Sequence, residues 1–371
     1  MKIGKIKGIE ISLHLSTLLI IGLIGFYAAD FYATLVPGSN FINLIIVGLI
    51  NGLIILFSIF IHELTHSLIA QKYGLNVSEI ELYLFGGVSK IEQEPANPKS
   101  EFIISVFGPI SSLIIGAILL GSLFLIPFNP FPIIKVTLFY SGISNIGLGI
   151  FNLIPAYPID GGRVLRAILW QKRHDMLSAT KTATRIGSYI AYGMMAYGFI
   201  SMLFFGFFNG LWIVIIASFL NNQSRHAYLQ TLNEITLSKL NAKDLIRIPK
   251  VAIPFNKTVN EAIKNYFIPY QKVYFPVIQG SKVVGIVHLE DVKKVPMNQR
   301  NEIIIGYLMK KISYFPTINQ NDTGKDALMK LIQMRDRPHL VIVEDSIQNT
   351  IIGYIGEDDL LTSLKFFKDN I

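Results

Sequence analysis

Cysteine is missing from all 371 residues, so neither a disulfide nor a thiolate metal site is available and the redox compartment cannot be read. Charge is scarce too. Asp, Glu, Lys and Arg supply 16% of the chain against 51% apolar residues, and the mean hydropathy is +0.47, which is unusual for a soluble protein. The net charge of +8 would suit a nucleic acid, but the basic residues gather in no single arm or helix face. They flank apolar runs, as Lys and Arg do beside membrane spans, so no nucleic-acid partner is expected.

What is present is lopsided. Residues 1–224 carry long uncharged runs, whereas 231–371 have the Lys, Asp and Glu of an ordinary soluble domain. Five uncharged stretches stand out: Ile11–Ala29, Phe41–Ile61, Phe102–Ile134, Val136–Ile159 and Ile186–Ser224. A span needs about 20 apolar residues. The last stretch is nearly twice that, and Asn209-Gly210 inside it is a turn signal, so it reads as two helices, the second short. Six spans are expected in all. Pro127, Pro130 and Pro132 should end the third near Ile126.

Loop charge orients the chain. Lys2, Lys5 and Lys7 precede the first span, Lys72, Lys90 and Lys99 follow the second, and Arg163, Arg166, Lys172, Arg173, Lys181 and Arg185 follow the fourth. The alternate loops, around 30–40, 127–132 and 208–210, hold no Lys or Arg. A multi-pass protein of the cell membrane, with its N-terminus and C-terminal domain in the cytoplasm, is therefore expected. The start looks like a signal peptide, but its apolar run is too long and no clear A-x-A site follows, which favours a retained span.

Within the second run, His62-Glu63-Leu64-Thr65-His66 is an H-E-x-x-H motif. Residues four apart share one helix face, so both imidazoles can reach one metal ion. Neutral imidazole suits zinc, and a catalytic zinc site takes three protein ligands with a fourth position open. Glu63 sits beside the pair and can accept a proton from water attacking a carbonyl. A pair of packed histidines would explain the same letters in a soluble protein, but ionisable groups in a lipid-embedded helix are mostly functional. If the helix surfaces near Gln71, His62 lies nine residues deeper, about 14 Å.

A third ligand is required. Asp160 in "NLIPAYPIDGGRVLRA" (152–167) is the only carboxylate between Glu101 and Asp175. Pro155 and Pro158 interrupt the helix, and Gly161-Gly162 permit a sharp or left-handed turn ahead of a helix starting near Arg163. Irregular backbone at membrane depth occurs only where protein or a water-filled cavity covers it.

The two motifs together, H-E-x-x-H and then N-x-x-P-x-x-x-x-D-G, resemble the site-2 protease family of intramembrane zinc metalloproteases. The matching residues are His62, Glu63, His66, Asn152, Pro155, Asp160 and Gly161. The resemblance covers about 1–225. It implies that His62, His66 and Asp160 hold one Zn2+ per chain, that Glu63 is the general base, and that Asn152 helps to hold the substrate. "EIELYLFGGVSKIE" (79–92) alternates Ile80, Leu82 and Leu84 with polar residues before Gly86-Gly87, a strand-and-turn pattern. It looks like the family's membrane-dipping hairpin, with Gly86 and Gly87 beside substrate held extended on a strand edge. His14 is expected to be interfacial, and "FGPISS" (107–112) to serve helix packing or a kink.

The tail repeats. "VVGIVHLEDV" (283–292) and "IIGYIGEDDL" (351–360) align without a gap, 68 residues apart. Each follows a strand-like run, Tyr274–Ile278 or Leu340–Val343, and an amphipathic helix, Val259–Phe267 or Gly324–Gln333. The unit resembles the CBS domain, whose pairs often bind adenine nucleotides through an Asp on the ribose. Asp291 and Asp359 stand at that position, while His288 and Gly356 replace the Ser or Thr near phosphate. A pair serving only as a homodimer contact or a mechanical gate fits equally.

The expected architecture is a polytopic α-helical membrane domain (1–225) with a short strand hairpin, a linker (226–241), and a soluble α/β tandem CBS module (242–298 and 303–367). The expected activity is hydrolysis of a peptide bond in or near a transmembrane segment of a membrane-protein substrate, with the CBS pair as regulator. A CBS-regulated transporter would spread ionisable residues over several spans, and an inactive client binder would not need Glu63.

Overall fold

The computed structural model describes residues 1–83, 86–91, 94–126, 132–204, 206–246, 251–280, 282–334, 339–345 and 350–368. The chain divides into two compact units, Met1–Leu229 and Gln230–Ile371.

In the first unit β1 (Lys2–Ile6) and β2 (Ile9–Leu13) form a hairpin ahead of α1 (Thr17–Leu35). Lys7 and Gly8 both take positive φ at its tip, the twist that a two-residue hairpin turn requires. The run Ile11–Ala29 is thus not one span. Ile9 and Ile11 are buried, and their alternation with Glu10 and Ser12 is a period of two that overrides the apolar run until Thr17.

α2 (Phe41–Lys72) has 32 residues, about 48 Å of helix against a hydrocarbon core of about 30 Å. Asn40 caps its start by accepting the Asn43 N–H at 2.8 Å. The expected hairpin follows as β3 (Val77–Tyr83) and β4 (Gly86–Ile91), with Leu84 outside the described residues. β3 also pairs in parallel with β2, giving the order β1-β2-β3-β4 and leaving β4 at an edge.

The remaining helices are α3 (Pro98–Ser122), α4 (Pro132–Asn152), α5 (Asp160–Arg173), α6 (Met176–Phe204) and α7 (Phe207–Lys239). Among the described residues five helices are long and apolar enough to cross a membrane: α1, α2, α3 with its extension to Leu125, α4 and α6. The sixth expected span falls at the start of α7, where Asn221, Asn222 and Gln223 end the apolar run too early. The turn before it is at Gly206, φ +104°, while Asn209-Gly210 lie inside α7. Gly210 is there for packing, since a Cβ on it would overlap the Gly198 carbonyl of α6. Pro127 and Pro130 lie outside the described residues, and Pro132 opens α4.

Small residues bring these helices together. A Cβ on Gly25 of α1 would stand 2.8 Å from the Gly48 carbonyl oxygen of α2. Between α2 and α4, Ser141 Oγ donates to Asn51 Oδ1 at 2.7 Å, and Asn51 Nδ2 returns to the Val47 carbonyl at 2.8 Å. Both side chains are fully buried, so these bonds satisfy polar groups that would otherwise be costly away from water.

The second unit runs α8 (Ala242–Leu245), β5 (Ile253–Pro254), α9 (Val259–Ala262), α10 (Ile268–Tyr270), β6 (Tyr274–Gln279), β7 (Lys282–His288), α11 (Leu289–Lys293), α12 (Ile305–Leu308), β8 (Lys310–Lys311), β9 (Thr317–Asn319), α13 (Gly324–Gln333), β10 (Leu340–Glu344), β11 (Ile351–Gly356) and α14 (Glu357–Lys368). The repeat is physical. β5-β6-β7 and β9-β10-β11 each join a parallel to an antiparallel pair, and Val277↔Gly285 matches Val343↔Gly353 in register. Thr258 with Glu261 and Thr323 with Asp326 form the same capping box before α9 and α13. The halves exchange their leading segments. Leu237, Ala242 and Leu245 share a core with Leu331, Val341 and Ile355, whereas Ile305 joins Val259, Phe275 and Val287.

Candidate metal centre

His62 and His66 lie one turn apart on α2, and Asp160 is the first residue of α5. The three ligand atoms form a nearly equilateral triangle. His62 Nε2 and His66 Nε2 each stand 3.1 Å from Asp160 Oδ2 and 3.1 Å from one another. Donor atoms bound at about 2.05 Å around one tetrahedral centre sit about 3.3 Å apart. The triangle therefore fits a single zinc ion, and two nitrogens with one carboxylate oxygen are a donor set that zinc accepts. Both histidines are buried.

Helix α3 fixes both rings. His66 Nδ1 lies 2.7 Å from the Ile104 carbonyl, which can only accept, so Nδ1 carries the proton and the Nε2 lone pair faces the triangle. His62 Nδ1 meets Ser112 Oγ at 2.9 Å. Between these anchors, a Cβ on Gly108 would overlap the His66 ring. "FGPISS", expected to serve packing or a kink, thus also orients the two rings. The missed signal was the spacing from Ile104 through Gly108 to Ser112, four residues apart on one helix face.

Glu63 turns toward β4. Its Oε2 accepts from Ser89 Oγ at 2.8 Å, and a Cβ on Gly87 would overlap its Cγ. Gly86 serves the backbone instead, with φ +123° and open space around it. Asn152 ends α4, with Nδ2 donating to the Leu148 carbonyl at 2.9 Å. Glu63, the two histidines, Gly86, Gly87, Ser89, Asn152, Asp160 and Arg163 all line one cavity of about 540 Å³. His14 stands apart, with Nδ1 2.8 Å from Ser16 Oγ.

The loop between α4 and α5 delivers Asp160. α5 begins at Asp160 itself rather than near Arg163. Gly161 and Gly162 are helical, not left-handed. They are required because a Cβ on either would collide with the loop's own backbone, at Leu153 and Ile154 or at Ala156 and Tyr157.

A buried charge cluster, unforeseen from the sequence, ties α5 to α3. Arg166 is 0% exposed and donates from Nε to Glu101 Oε1 at 2.6 Å and from a terminal nitrogen to Glu94 at 2.9 Å. Its guanidinium lies 5.1 Å from the centre of the Tyr157 ring. Burial opposes the Arg166 charge, but Tyr157, Glu101 and Glu94 outweigh it and raise the group above its ordinary value. Arg166 is therefore no solvated loop charge, although the sequence places it among the basic flanks.

In the second unit, Asp291 pairs with Lys294 at 3.1 Å. Asp359 is buried, and its Oδ2 accepts the Gly356 N–H at 2.8 Å. His288 caps α11 by accepting the Glu290 N–H.

Two histidines and an aspartate placed so that they could hold one metal ion, with a glutamate alongside and the histidines on an apolar helix long enough to cross a membrane, are the constellation of an intramembrane metallopeptidase. The model of peptidase family M50 matches residues 51–132 and 128–196, and the CBS-domain model matches 242–298. The chain belongs to peptidase family M50, the site-2 proteases, with a CBS module, and is a zinc-dependent metalloendopeptidase of the membrane. It is 28% identical over 369 residues to a zinc metalloprotease of Methanocaldococcus jannaschii, covering 99% of this chain and 96% of that protein. The solved site-2 protease from Methanocaldococcus jannaschii is 31% identical, covers 62% of this chain and 94% of its own, and superposes with a TM-score of 0.44. The CBS domain of a bacterial CNNM/CorC-family Mg2+ transporter is 14% identical over 37% of this chain and 82% of its own, with a TM-score of 0.32.

Proposed function

We propose that His62, His66 and Asp160 hold the zinc, that Glu63 is the general base and that Asn152, Gly86 and Gly87 contact substrate. The triangle of ligand atoms at 3.1 Å carries this reading. A zinc ion bound there supplies Lewis acidity to the scissile carbonyl and to the attacking water. Glu63 takes the proton of that water and returns it to the leaving amine. Ser89 steadies the carboxylate meanwhile by its hydrogen bond. The open edge of β4 suits a substrate segment held extended by main-chain hydrogen bonds, with its residues beside Gly86 and Gly87.

Glu63→Gln should keep zinc and lose about 10²–10⁴-fold of the cleavage rate on a membrane substrate in detergent. Cleavage at the wild-type rate by that variant would remove Glu63 from the chemistry.

Residues 1–225 are proposed as the protease domain and 242–367 as the CBS pair, joined through 226–241. The lysine and arginine flanks favour a cytoplasmic N-terminus and CBS pair. An adenine nucleotide at the pair would engage Asp291 more readily than Asp359, whose carboxylate is buried in the first turn of α14. A homodimer through the pair is the remaining proposal for its role.

A further inference from the structure

A second cavity, of about 190 Å³, lies between α6 and α7 and has no part in the reaction above. Lys181 and Arg185 line it from successive turns of α6, and Arg225 lines it from α7. Ser188 and Tyr228 add hydroxyl groups, the Thr184 hydroxyl being spent on the Thr180 carbonyl, and no carboxylate lines it. Residues four apart on one helix face are neighbours, and like charges there repel. Here a third cation joins them from the facing helix.

Among the described residues, none of the three cations has a carboxylate partner within ion-pair distance. Asp175, just ahead of α6, accepts the N–H groups of Leu177 and Ser178. Arg225 spends one donor on the Tyr192 hydroxyl, 3.1 Å away.

The height of the cavity is informative. Lys181 and Arg185 lie five and nine residues into α6, before its apolar part, where a span meets the headgroup region. The cavity also sits on the catalytic side. Ser224, fully buried, lines it and donates to the Tyr157 carbonyl in the loop that delivers Asp160. A Cβ on Gly187 of α6 would stand 2.6 Å from that same carbonyl.

We propose that this cavity binds a phosphate group, carried either by an anionic phospholipid headgroup or by a soluble phosphate compound. Three cations that border a space larger than a water, with the Ser188 and Tyr228 hydroxyls beside them, are the complement of a phosphate, and basic pockets between helices at the membrane surface recognise phospholipid headgroups. Occupancy would neutralise the clustered charge where α6 and α7 support the loop of Asp160. The inference stands apart from the peptidase reading, since none of its residues touches the metal centre.

The test compares the delipidated wild-type chain with Lys181→Gln, Arg185→Gln, Arg225→Gln. Native mass spectrometry reads retention of phosphatidylglycerol against phosphatidylcholine, and calorimetry reads inorganic phosphate. The wild type should prefer phosphatidylglycerol by on the order of 100-fold, and the triple variant should lose the preference with its zinc content unchanged. Heat from inorganic phosphate that the variant abolishes would assign the site to a soluble phosphate. The all-lysine form (Arg185→Lys, Arg225→Lys) should keep binding, which separates lost charge from a damaged fold. Equal phosphatidylglycerol retention by wild type and glutamine variant, without phosphate heat in either, would overturn the proposal.

Discussion

Position 108 supplies no ligand to the proposed centre, yet its lack of a side chain makes room for His66. The His66 ring occupies the space a Cβ there would need, so Gly108→Ala should displace the ring and abolish zinc binding, as read by metal analysis. Ser112 bonds the outer nitrogen of His62, and Ser112→Ala should weaken zinc affinity by about 10–100-fold in a chelator competition. Gly87→Ala makes the opposite prediction, because the clash is with Glu63. Zinc should stay while cleavage falls. The shared face of His62 and His66 was legible because a spacing of four in H-E-x-x-H fixes it without any tertiary knowledge. Ser112 and Gly108 were not, since serine and glycine are also ordinary packing residues in a span.

Among the elements, α3 is the template of the site. From one helix it orients His62 through Ser112, His66 through the Ile104 carbonyl, and α5 through Glu101. Removing one partner of a buried pair leaves an uncompensated charge, at a cost of about 3–5 kcal/mol. Arg166→Met should therefore lower the melting temperature of the detergent-solubilised chain, and adding Glu101→Leu should recover part of the loss. A melting temperature untouched by Arg166→Met would mean that the pair carries no stability. The sequence could not announce this pairing. Glu101 and Arg166 lie 65 residues apart, and an arginine after a span reads first as a topology signal. The β1–β2 hairpin was hidden differently, because its alternating residues run into the apolar stretch of α1. Its period was visible at Ile9, Ile11 and Leu13, and the length of the run outweighed it.

For the whole molecule, the division of labour follows from composition. Every proposed ligand lies between residues 62 and 160, so removing 242–371 should leave zinc content unchanged, as metal analysis would show. The CBS repeat was legible because its two halves carry the same letters in the same register, Gly285 matching Gly353. The exchange of leading segments between the halves was not, since Leu237 and Ile305 meet their partners only after folding. Calorimetry with ATP and AMP on the full chain and on Asp291→Ala should show heat that the variant loses. Heat retained by Asp291→Ala would place the nucleotide elsewhere, and none from the wild type would leave the pair with a mechanical or dimerising role.

The central claim is that α2 and α5 bring two imidazoles and one carboxylate around a single zinc. Its most direct test is the metal content of the purified wild-type chain beside Asp160→Ala. One zinc per chain in the wild type and almost none in the variant is the predicted result. Full zinc occupancy in Asp160→Ala would contradict it.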